Sequence, residues 1–139
     1  FLGLYDLTLN YSKLPASIPT HFNFKGEVDS WGGKETILIL GVGIVVLYGT
    51  LTLVSRIPHL YNYPWEITEE NAPRQYRMAR TFLTLLKAEV VWLFAGIIGE
   101  TIKVALGQSN QMQPTSLFFY LGLITASVVG YFILSYRAR

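Results

Sequence analysis

Two carboxylates stand where a charge is costly. Glu89 and Glu100 lie in a long apolar stretch, 81–106, that also holds Lys87 and Lys103, and ten apolar residues separate them. On a helix turning about 100° per residue, the step from one to the other closes to within about 20°, and Gly96 and Lys103 fall within about 40° of Glu89. One face thus gathers nearly all the polarity. A charge at the centre of a bilayer costs roughly 2.5–3.5 kcal/mol on insertion scales, so each carboxylate should turn to a bundle interior or find a partner. Pairing is the plainer chemistry: Glu100 with Lys103 near one boundary, and Glu89 with Lys87 or an arginine near the other. The sharper alternative is a proton or cation path through Glu89 and Glu100, as in a small proton-linked transporter.

A second group of donors, His21, Glu27 and Asp29, lies in a polar stretch near the start. Their irregular spacing fits no dedicated zinc or calcium loop, so no metal site and no cofactor is expected. His21 and Asn23 are instead expected to bond loop backbone, with Asp29 capping the turn around Trp31. The chain holds no nucleophile elbow, phosphate loop, HExxH or CxxC, which argues against a conventional enzyme. Zero Cys removes disulfide and thiolate chemistry. A net charge of +2 without a Lys/Arg-rich block argues against nucleic acid as a partner.

The elements that must hold these residues are membrane helices. Hydrophobic residues make up 51% of the chain, too many for an ordinary soluble domain. Residues 36–55 and 117–136 are uncharged runs of 20 residues, each about 30 Å long as a helix and able to cross the hydrocarbon core. Residues 81–106 form a third span with polar functions. The opening 1–13, which contains Asp6 and shows no signal-peptide pattern, reads as the outer end of a first span, with a short interfacial helix as the alternative. The expected fold is an all-α integral membrane protein in one domain, 1–139. It has three full transmembrane helices plus a partial N-terminal one, and an extracytoplasmic hairpin-like cap over 14–35.

Lys/Arg distribution sets the orientation. Arg56, Arg74, Arg77, Arg80, Lys87, Arg137 and Arg139 fall on one side, and Lys13, Lys25, Lys34 and Lys103 on the other, seven against four. The connector 56–80 and the C-terminus are therefore expected in the cytoplasm. Pro58 and Pro64 keep the connector's first half from forming continuous helix, whereas Asn71 can cap a new helix with Pro73 in its first turn. Tyr61, Tyr63, Trp65 and Tyr76 suit the membrane interface. Arg74, Arg77 and Arg80 recur along that helix and would meet anionic lipid or a protein partner. In the last span Gly122, Ala126 and Gly130 line one face that lets another helix approach, and Gly41, Tyr48, Thr52 and Ser55 form a stripe on the second span. Both stripes are expected to close this chain's own bundle.

In the cap, Pro15 and Pro19 hold the chain extended. His21 and Asn23 alternate with Phe22 and Phe24, which would aim both rings at the membrane or bundle. Lys25-Gly26 turns the chain, and Gly32 and Gly33 let it bend into the next span. The pattern LPxxIPTHFNxxGxxDxWGxK, Leu14 to Lys34, and the connector NYPWEITEENAPRQYRMAR, Asn62 to Arg80, resemble the N-terminal uncharacterised domain of the SdpI family of bacterial membrane proteins. The resemblance covers most of the chain and implies a multi-pass protein of the bacterial cytoplasmic (inner) membrane. Its namesake is an immunity protein against a secreted peptide toxin that also holds a transcriptional repressor at the membrane. Longer members continue into further spans. On that resemblance the cap residues Pro19, His21, Asn23, Gly26, Asp29, Trp31 and Lys34 would recognise a hydrophobic or cationic peptide. The alternative is a non-catalytic accessory subunit that packs on other membrane subunits.

Overall fold

A computed structural model describes residues 2–139, with side chains from residue 3 onward. Helix α1 (Leu2–Asn10) passes through a 3-10 turn (Tyr11–Lys13) into an antiparallel hairpin, β1 (Ser17–Phe22) and β2 (Val28–Gly33). Helices α2 (Thr36–Val54), α3 (Ala72–Ala105) and α4 (Pro114–Arg137) follow, with a second 3-10 turn (Pro58–Leu60) in the connector. All three long helices have the length and apolarity to cross a membrane. At 34 residues α3 runs about 51 Å, so its first turns extend past the hydrocarbon and carry the arginines clear of it.

Helix α3 is the central element, packing against α1, α2 and α4. Helix α1 lies lengthwise along the C-terminal part of α3 rather than across the helix ends. Gly3 sits so close to Ala95 that a methyl group at Gly3 would lie 2.7 Å from the Ala95 Cα, and Asp6 and Asn10 lie beside Ile102 and Lys103. The core gathers Leu7, Leu14, Ile18, Ile37, Ile44, Ile98 and Ile102, and so joins α1, the hairpin, α2 and α3 at the hairpin end of the bundle. Ile18 is the hairpin's contribution to it, 1% exposed. Away from this core much of the helix surface is exposed: the most apolar 18-residue stretch of α4 contains no buried residue. Leu38, Val42, Val46, Phe119 and Ile133 all point outward, as lipid contact requires.

Backbone chemistry sets the element ends. Helix α3 closes on Gly107 at φ +69°. The Gly107 amide bonds the Val104 carbonyl (3.0 Å) and the Gln108 amide bonds that of Lys103 (2.9 Å), the paired closure that a left-handed residue allows. At its start α3 has Asn71 at the cap position and Pro73 in the first turn, but the Asn71 side chain does not cap the helix. It reaches backward, accepting the Thr68 amide (3.0 Å) and donating to the Glu66 carbonyl (3.1 Å). A short polar side chain satisfies a loop amide as readily as a helical one, and here the Pro-rich connector takes it.

Candidate functional site

The hairpin cap is a built structure. Asn23 ends β1 because its side-chain oxygen accepts both the Lys25 amide (2.9 Å) and the Glu27 amide (3.0 Å), while its nitrogen donates to the Glu27 carboxylate (2.7 Å). This turn leaves Phe24 at the hairpin tip, 88% exposed, so Phe22 and Phe24 do not share a strand face as the alternation suggested. Gly26 follows at φ +84°, and its carbonyl accepts the Met112 amide at 2.8 Å. That bond fastens the hairpin tip to the turn between α3 and α4. A side chain at Gly26 would strike the Met112 carbonyl oxygen.

The remaining cap residues divide between structure and surface. Pro19 is buried beside Ile18 and packs rather than presents. His21 bonds the Asp29 carboxylate through Nδ1 at 2.5 Å, so neither residue takes the backbone role expected of it. In register His21 stands opposite Ser30, and the irregularity between the His21–Ser30 and Phe22–Val28 pairs leaves Asp29 beside it, so the two interact side chain to side chain across the strands. Trp31 is 58% exposed, and Lys34 holds its ammonium 5.1 Å from the centre of the Tyr11 ring. The sheet has two strands only, so the edge of β2 away from β1 carries no strand among the described residues.

Beneath the cap runs the seam between α3 and α4. Glu100 pairs with Lys103 (2.7 Å) and accepts the Gln113 amide (3.2 Å) through its other oxygen. Gly96 makes room for the Tyr120 ring. Glu100, Gly96, Met112, Gln113 and Tyr120 line a cavity of about 220 Å³ that opens beside the hairpin tip, since Met112 belongs to both.

Glu89 is 4% exposed, and one of its oxygens accepts the Ser127 hydroxyl of α4 at 2.6 Å. Its other oxygen is buried with no partner among the described residues. Pairing with Lys87 or an arginine is not what the structure holds. Lys87 turns to α2 instead, donating to Thr52 (3.0 Å) with its ammonium 4.5 Å from the centre of the Tyr48 ring. The reason is angular: Lys87 and Glu89 are two residues apart and so project about 200° from one another. Of the second-span stripe, Gly41 packs against Leu7, and Tyr48 and Thr52 receive Lys87.

At the connector end, Gln75 and Ser135 are both fully buried. The Ser135 hydroxyl donates to the Gln75 oxygen (2.5 Å), and the Gln75 amide donates to the Ser135 carbonyl (2.9 Å). Sequence reasoning missed this pair and the Ser127 partner of Glu89. A signal existed: Gln75, Phe82, Glu89, Gly96 and Lys103 recur every seven residues, the repeat of helices that pack along one another. The first four of these face α4, Phe82 by stacking on Tyr131 at 4.6 Å between ring centres.

The stripe Gly122, Ala126 and Gly130 does not close this bundle. Gly122 and Ala126 are exposed, and neither glycine has a neighbour where a side chain would project. The α4 face that meets α3 carries Tyr120, Ser127, Tyr131 and Ser135 instead, because polar and aromatic clasps on the α3 face select it. Arg74, Arg77 and Arg80 are all exposed. The aromatic residues nearby pack on one another: Tyr61 on Tyr63, Tyr63 on Tyr76, and Trp65 against Phe132 and Tyr136. Tyr61 donates to the Val54 carbonyl (2.6 Å) and Tyr63 to that of Pro58 (3.0 Å). Burial pushes the hydroxyls of both above their ordinary value.

Residues 3–45, which include the hairpin, match a family described as a domain of unknown function (DUF1648). An uncharacterised protein of Archaeoglobus fulgidus is 32% identical over 146 residues, an alignment covering 95% of this chain and 76% of that protein. No solved structure matches. The chain belongs to the same family as the archaeal protein.

Proposed function

We propose that this chain, as a member of that family, is the membrane domain of a recognition protein in a prokaryotic cytoplasmic membrane. Its outer surface takes a hydrophobic or cationic peptide. The observation that carries this reading is the bond between Gly26 and Met112, which joins the hairpin tip to the rim of the Glu100 cavity. The joined surface offers exposed Phe24 and Trp31 for apolar side chains, an open strand edge for backbone, and for positive charge the partly exposed Asp29 carboxylate, bonded through one oxygen to His21. The resemblance to the SdpI family supports an immunity or signalling role, and the Lys/Arg bias supports a cytoplasmic connector and C-terminus.

The test is protection. The full-length protein expressed in cells sensitive to membrane-active peptides should raise tolerance to at least one cationic hydrophobic peptide, and Trp31→Ala or Asp29→Asn should remove that gain at unchanged protein level. No gain across a panel of such peptides would overturn the reading.

One observation favours a second reading, an accessory subunit of a larger membrane complex: on the stripe Gly122, Ala126 and Gly130, the first two are exposed and neither glycine has a neighbour where a side chain would project. Native mass spectrometry after mild extraction separates the two. Stoichiometric association with other subunits supports the second reading, and a lone chain or homo-oligomer the first.

A further inference from the structure

The seam between α3 and α4 opens at the connector end into an apolar groove of about 330 Å³. Phe82 and Leu85 of α3 and Ser127, Gly130 and Leu134 of α4 line it, and Arg77 stands at its mouth. A wider groove of about 830 Å³ lies on the other flank of α3. It carries Arg77 again, with Arg80, Tyr76, Pro58 and Thr84. Arg77, Thr81 and Leu85 line both grooves. Spaced four residues apart, they form one ridge of the helix with a groove on either side. The two ion pairs among the described residues are His21–Asp29 and Glu100–Lys103. Arg77 and Arg80 are thus exposed guanidiniums with no carboxylate against them, in the first turns of α3.

An occupant must therefore be anionic at the arginines and apolar along the ridge. We infer that these grooves hold one anionic phospholipid of the connector-side leaflet. Its phosphate sits at Arg77 and Arg80, one acyl chain fills the α3–α4 groove, and the other lies along the far side of the ridge. A guanidinium suits phosphate because it offers a planar fork of donors, and the negative surface of a leaflet adds to the attraction. A zwitterionic lipid would fit the grooves but would not neutralise two arginines. A transmembrane helix of another protein is too broad for the narrower groove, since a helix with side chains is about 10 Å across. The inference does not depend on what the outer cap recognises.

The test uses the full-length protein reconstituted in nanodiscs containing equal phosphatidylglycerol and phosphatidylcholine, then moved into mild detergent and examined by native mass spectrometry. The wild type should retain phosphatidylglycerol in preference to phosphatidylcholine. Arg77→Ala should reduce that retention about fivefold, the effect of losing one interfacial charge. Arg74→Ala, on the same helix but lining neither groove, should leave it unchanged. Gly130→Leu, placed where a new side chain meets open space, should fill the narrower groove and lower retention of both lipids. Equal retention of the two lipids by the wild type, or equal behaviour of the Arg77 and Arg74 variants, would overturn the inference. So would a cross-link from Gly130→Cys to another protein's helix in native membranes.

Discussion

Replacing Gly26 with alanine should loosen the cap from the helices. The residue sits at φ +84°, where an L side chain costs about 1–2 kcal/mol. The new methyl would also meet the Met112 carbonyl oxygen and force apart the strands of contact around the 2.8 Å bond from the Met112 amide, a bond worth about 0.5–1.5 kcal/mol. The sum is about 1.5–3.5 kcal/mol, a roughly 12- to 300-fold rise in local opening. Hydrogen exchange of the full-length protein in nanodiscs reads it directly. Protection of the Met112 amide should fall by that factor, while amides in the middle of α2 and α3 keep theirs. Gly43→Ala, at a helical glycine with open space around it, is the control and should change neither. An exchange rate at Met112 within about threefold of the wild type would refute the claim that this bond and this backbone angle hold the hairpin down. It would also remove the support for treating cap and cavity as one surface.

Three further outcomes follow from the same geometry. Ser135→Ala leaves the buried Gln75 oxygen without a donor and should destabilise the protein in detergent by about 1–3 kcal/mol, whereas Ser135→Ala with Gln75→Leu should cost less than the sum of the single changes; additive losses in a thermal-melt cycle would contradict the pair. Ser127→Ala removes the only partner of Glu89 among the described residues and should lower the melting temperature, and adding Glu89→Leu should restore much of it; a further fall would count against a cost from the unpartnered carboxylate. Burial raises the hydroxyls of Tyr61 and Tyr63 above 10.0. Because the folded state holds these protons more tightly than the unfolded one, their contribution is complete below pH 10 and is lost as pH rises through the raised values. Denaturation midpoints should therefore fall on the alkaline side of pH 10, and the fall should shrink in Tyr61→Phe/Tyr63→Phe.

The helices were legible because a bilayer asks a simple question of a sequence. Uncharged runs at 36–55 and 117–136 become α2 and α4, and charge within 81–106 marks α3 as the helix with neighbours on several sides. The cap was legible through Gly26, whose turn is observed, but not through Phe24. There the period-two pattern continued past the strand while the Asn23 side chain had already captured two amides and closed the turn. Glu100–Lys103 could be read because a three-residue step on one helix fixes both partners. Glu89 could not, because its partner comes from another helix. Ser127 is one of several hydroxyls on α4, and only the register between α3 and α4 selects it. The stripe of small residues misled for a related reason: spacing shows that such a face exists, but not which way it turns.

What turns it is the polar seam. In a bilayer, apolar side chains gain little by leaving lipid for one another, so hydrogen bonds and close packing set how helices meet. Gln75 meets Ser135, Glu89 meets Ser127, and Glu100 meets the amide of Gln113. As the residue number rises along α3 it falls along α4, so the three contacts are clasps at three depths of one antiparallel register. A slip of one turn would break all of them: Glu89 would lose its one partner among the described residues at membrane depth, a cost of several kcal/mol, the buried Gln75 side chain would lose both its bonds to Ser135, and Glu100 would keep only Lys103. With the rotation of α4 fixed by those clasps, its small-residue face must point away from α3. The groove beside Gly130 is the geometric consequence: polar contacts on one side of α4 hold open an apolar channel on its flank, and Arg77 supplies the charge at the end of it.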